Sequence, residues 1–258
     1  MTLVSPQRAQ PLPMETLRVE SEGRIVLARW GPLDPAAPDA IARQAELLAP
    51  AKLALSSHGE PELLAEVLRT SEADAPKLAR NALDVARAWL DGEAPSLPES
   101  DQDDLASALA ELPAAWVWER SEGDDYRVHA TAFGESVRLA VSAVAGGAQV
   151  IARSALATSE LATRPALLRF ALDANRRLRL ARIGLTDLDD ETTAVTWDAV
   201  TPAGLDLSRA LPVAVEAVVR GHAATRRSLR ALCHAPVARA YLDSREAAPH
   251  RRRPISHA

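Results

Sequence analysis

Residues 116–150 constrain the fold more than any other stretch, because apolar and polar residues alternate there in short runs cut at regular intervals by glycine. Trp116 and Trp118, Tyr126 and Val128, then Val137, Leu139 and Val141, then Val150 each line one face of an extended segment. Gly123, Gly134 and the pair Gly146-Gly147 separate these runs. The pattern is that of a β-meander. Turns at this spacing favour antiparallel pairing, and one polar face per strand predicts a sheet covered by helices on one side only, with the other side left to solvent or a partner.

Helical signals bracket the meander. Asp103 and Asp104, followed by Leu105, Ala108, Leu109 and Leu112, predict a helix that Pro113 ends. Thr163 as N-cap and Pro165 in the first turn open a second helix, on which Leu167, Leu168, Phe170, Ala171, Ala174 and Leu178 face inward. Residues 180–185 and 192–197 read as a hairpin around the acidic turn 187–190. A long helix over 208–230 then carries the stripe Leu211, Val215, Val218, Val219 and His222, with Pro212 tolerated in its first turn.

The first half is patterned differently. β-prone runs on either side of Ser21-Glu22-Gly23 predict a hairpin, residues 39–49 a helix, 52–56 a strand, 61–69 a helix and 77–90 a second, strongly amphipathic helix. Residues 93–104 hold two prolines, two serines and five acidic residues, the composition of an exposed linker. The expected organisation is a disordered leader over 1–14, a small α/β domain over 15–92, the linker, an α+β domain over 105–243, and a disordered tail over 244–258. The larger domain is an antiparallel sheet flanked by helices.

In the segment Phe170-Ala171-Leu172-Asp173-Ala174-Asn175, followed by Leu178-Arg179-Leu180-Ala181-Arg182-Ile183-Gly184-Leu185, a helix ends on Asn and runs directly into a strand. This segment, and the order helix, three-strand meander, helix, hairpin, long helix over residues 101–243, resemble the YbjN-like and type III secretion chaperone-like (Tir chaperone) fold. The resemblance implies a dimerising or partner-binding module that holds a segment of another protein against its sheet or helix surface, without chemistry. The first half resembles the STAS-like α/β modules of bacterial regulators, which leaves open an alternative: a regulatory or scaffold protein acting through homo- or hetero-oligomerisation.

Composition excludes several other classes. Net charge is −5, so the chain offers nucleic acid and anionic lipid no general attraction; its basic residues are nearly all arginine, Lys52 and Lys77 being the only lysines. Cys233 is the single cysteine, which leaves no disulfide framework and suits a reducing cytoplasm. No apolar stretch reaches the length of a membrane span. A bacterial cytoplasmic protein without a cofactor is expected, its partner another protein or itself as a homodimer.

No residue set reads as catalytic or metal-binding. The histidines lack ligand spacing, and His234 beside Cys233 is a poor metal pair. Asp101, Asp103 and Asp104, like Asp187, Asp189 and Asp190, lack the glycine and bidentate glutamate of a calcium loop. The Ser56-Ser57-His58-Gly59 turn has no nucleophile-elbow context. An enzyme would require a pocket gathering Asp124, Asp125, His129 and Arg138. The residues expected to contact a partner are Trp116, Trp118, Val137, Leu139 and Trp197, aromatic and aliphatic side chains of the sheet.

Overall fold

A computed structural model describes residues 18–22, 24–31, 33, 51–56, 59–69, 75–90, 102–121, 125–144, 147–158, 162–189 and 191–246. Two antiparallel sheets and five helices make up the described chain, a mixed α+β architecture. The expected leader, the helix over 39–49 and residues 93–101 of the linker lie outside the described residues.

The first sheet has the order β1-β2-β4-β3. Strands β1 (Arg18–Glu22) and β2 (Ile25–Trp30) form the expected hairpin, and β3 (Ala51–Leu55) is the expected third strand. Residues 61–69 are not a helix. They form β4 (Pro61–Leu68), paired with β2 on one side and β3 on the other. The i, i+3, i+4 spacing of Leu63, Leu64, Val67 and Leu68 also fits a strand buried on both faces, where apolar residues fall on both phases of the alternation. Leu63, Ala65 and Val67 join the core under helix α1 (Ala75–Leu90), while Leu64 packs with Leu27 and Ala54 on the other face. Pro61 sits at the first residue, where a strand tolerates proline. Helix α1 buries Ala75, Ala79, Ala82, Leu83 and Ala86, with Leu78 only partly buried.

The second sheet runs β5-β6-β7-β8-β10-β9. After helix α2 (Gln102–Ala110), the meander holds four strands: β5 (Val117–Arg120), β6 (Tyr126–Ala132), β7 (Glu135–Val144) and β8 (Gly147–Ala157). Helix α3 (Thr163–Asn175) leads to the hairpin β9 (Arg182–Asp187) and β10 (Thr192–Pro202), then to α4 (Leu207–Ala231). The N-cap of α3 is Ala162. Thr163 instead donates its hydroxyl to the Thr158 carbonyl at 3.2 Å. An unanticipated helix, α5 (Ala235–Glu246), continues past position 244 and packs on α3. Helices α2 and α4 cover one sheet face, burying Leu105, Leu109, Leu211, Val215 and Val219 against Val128, Leu139 and Val150. Gly147 enters β8 where a Cβ would stand 2.0 Å from the Thr201 carbonyl oxygen, so no larger residue fits this approach of β8 to β10.

The opposite face is not uniformly open. Along β6 it presents exposed Arg127, His129 and Thr131, as the alternation predicts. At the β10–β9 end, Arg182, Thr196 and Asp198 on that face are buried. A single covered face therefore holds along β6 and fails toward β8, β10 and β9, where Ile151 of β8 is also buried on the opposite face.

Candidate functional site

The meander ends in an edge strand. β5 pairs only with β6 among the described strands, in the register Val117↔His129 to Arg120↔Tyr126, and all four of its residues are exposed. Val117 is 70% and Trp118 38% exposed, and the Trp118 ring meets Tyr126 edge-on at 6.0 Å. Trp116 falls in a bend before the strand and packs, partly buried, against the main core. An indole at the surface beside a strand edge offers a partner an apolar anchor and a backbone to pair with.

The other three residues expected at a partner surface belong to the core. Val137, Leu139 and Trp197 are 5%, 1% and 2% exposed. Trp197 donates its indole N–H to the Thr225 hydroxyl at 2.8 Å and stacks edge-on with His222 at 4.7 Å. The alternation that singled them out is the signature of the face turned toward helices, so it selects core residues.

A polar seam joins the two halves. Lys52 on β3 and Glu66 on β4, both buried, form an ion pair at 2.7 Å. The ammonium also donates to the Leu178 and Ala181 carbonyls, while the carboxylate accepts the Leu180 N–H at 2.6 Å and Arg179 at 3.3 Å. Burial pushes the Lys52 ammonium below its ordinary range, against the pull of Glu66. Leu180 takes a left-handed backbone, φ 62°, to present that N–H. Arg182 on β9 grips Asp198 on β10 with bonds of 2.8 to 3.0 Å and donates to the Ala51 carbonyl at 2.8 Å. The Asn175 amide bridges Ile183 of β9 and the Leu53 carbonyl of β3. Asn175 and residues 178–183 fall in the segment that carried the family resemblance, but no residue of this seam was read from sequence as a buried polar contact. The usable signal was a charge inside an apolar β run: Lys52 in AKLAL, Glu66 in LLAEVL, Asp198 in TWDAV.

The remaining titratable groups do not converge. Arg138 donates to His129 Nε2 at 3.0 Å on the exposed sheet face, and Asp124 lies outside the described residues. Cys233, half-buried between α4 and α5, bonds the Leu229 carbonyl, and burial raises its thiol pKa away from reactivity. Ser56 closes the β3–β4 turn by accepting the Glu60 N–H. No three candidate metal ligands cluster among the described residues. No described helix is long and apolar enough to cross a membrane.

None of the curated proteins compared matches the chain. Among solved structures it is similar to the di-domain ARO/CYC StfQ from the steffimycin biosynthetic pathway. That match has 14% identity, covers 90% of this chain and 78% of that one, and has a TM-score of 0.16, too low to carry an argument. A family model does match: "YbjN: Putative bacterial sensory transduction regulator" aligns with residues 101–227, from the start of α2 to within the last turns of α4. This is the segment whose helix, meander, helix, hairpin and long helix are now seen in place, and residues 101–227 are accordingly similar to the YbjN family.

Proposed function

We propose that the chain is a non-catalytic regulator of the bacterial cytoplasm that recognises another protein by strand addition at β5, with Trp118 as the anchor. The observation that carries this reading is the exposed edge strand with an exposed indole. A segment laid along β5 gains main-chain hydrogen bonds from the edge and side-chain contact from Trp118 together. The regulator description of the matching family supports the same reading. A second copy of the chain is a partner favoured by the strand's own charges. Glu119 and Arg120 are adjacent, and antiparallel self-pairing in one register sets each opposite the other.

The test compares wild type with Trp118→Ala and Trp118→Glu in affinity retention from the native cytosol and in sedimentation, with folding checked by circular dichroism. Trp116 is left intact because it packs on the core. A retained protein, or a self-associated species, that is lost in both folded variants supports the reading. Retention indifferent to Trp118 refutes it.

A further inference from the structure

A cleft of about 750 Å³ opens between the two halves, within the size range of small-molecule sites. Its apolar lining includes Ile25 of β2, Leu180 of the turn before β9, and Val213 of α4. Three arginines are among the residues that line it: Arg24 from the β1–β2 turn, Arg69 at the end of β4, and Arg209 in the first turn of α4. No acidic side chain is among the described lining residues. Arg209 also holds an exposed salt bridge to Asp206 at 3.3 Å, a contact weak enough in water to be shared with a ligand.

From this we infer that the cleft binds a small organic anion with an apolar body, a carboxylate or sulfonate on an aromatic or aliphatic frame. Arginine stays charged at any physiological pH and binds such head groups through paired N–H donors. The apolar lining removes the ligand's frame from water, and the N-terminal end of α4 adds a favourable dipole. Leu180 lines the cleft while its N–H holds the buried Glu66, so an occupant touches the seam joining the halves. Leu180 precedes β9, the opposite edge of the sheet from β5, and the inference does not depend on partner binding there.

Anilinonaphthalene sulfonate, an apolar anion, and neutral N-phenylnaphthylamine test it by fluorescence titration of the full chain. The sulfonate is expected to fill one saturable site. Arg24→Gln with Arg209→Gln, both exposed positions, weakens it about tenfold or more, as loss of charge-assisted hydrogen bonds implies, and leaves the neutral dye unchanged. Val213→Trp, which fills the cleft, removes both dyes from a protein still folded by circular dichroism. No saturable sulfonate binding overturns the inference. So does sulfonate binding that ignores the arginine substitutions or survives Val213→Trp.

Discussion

The side-chain amide of Asn175 stands beside Ile183 as a neighbouring strand would, accepting its N–H at 2.6 Å and donating to its carbonyl at 3.1 Å. The same Nδ2 donates to the Leu53 carbonyl at 3.0 Å, so one buried amide serves the edges of β9 and β3 together. Replacement by Ala or Leu strands three buried backbone groups. At roughly 1–3 kcal/mol for each unsatisfied group, Asn175→Leu is expected to cost about 3 kcal/mol or more. Chemical denaturation measures this, and a loss under about 1 kcal/mol would show that water replaces the amide.

Lys52 and Glu66 make a second prediction. Lys52→Met leaves a buried carboxylate without its ammonium, a change that costs about 3–5 kcal/mol in comparable pairs. Arg179 and the Leu180 amide still hold Glu66, which places the loss toward the lower end. Lys52→Met with Glu66→Met should recover part of it in a double-mutant cycle. Simple additivity would show that the two charges are not coupled.

His222 carries a pH dependence. Burial, reinforced by the positive Arg226 and opposed by Glu135, lowers its imidazole below the ordinary 6.5. Between that lowered value and 6.5 the unfolded chain holds a proton that the folded chain does not. Stability therefore rises with pH across this window and is lost on acidification through it. Urea midpoints at about pH 5 and about pH 7.5 should differ less in His222→Phe than in wild type; an identical difference would assign the effect to other groups.

Residues 101–243 expressed alone give a further check. The main core draws all its buried residues from 105–238, so the fragment should fold and remain soluble. It loses the first-half packing on Leu172 and the Ala51 and Leu53 carbonyls that Arg182 and Asn175 bind, so its melting midpoint should lie below that of the full chain. An unfolded fragment would mean that the two sheets form one folding unit and that residues 93–104 mark no boundary.

Period-2 alternation with glycine turns made the meander legible, and the apolar stripe of α4 was equally plain, because each element there is amphipathic and buries one face. β4 was not legible for the opposite reason. A strand covered on both faces carries apolar residues on both phases, and Leu63, Leu64, Val67 and Leu68 satisfy a helical template by default. Among the site residues, Trp118 was found as an aromatic at the strand surface, while Val137, Leu139 and Trp197 were drawn by the same alternation and proved to be core. The seam was hidden because its partners lie far apart in sequence. Lys52 meets Leu178 and Ala181, and Arg182 meets Ala51, contacts that no local window contains.

The two margins of the six-stranded sheet are unequal. At β9 the polar groups of Ile183 are already occupied by Asn175, whereas β5 has an unpaired side among the described strands. When two copies pair β5 with β5, each uses up the unpaired margin of its six-stranded sheet, and at the other margin Ile183 is already occupied. Association through β5 should therefore stop at a closed complex of fixed stoichiometry and not extend into a fibre.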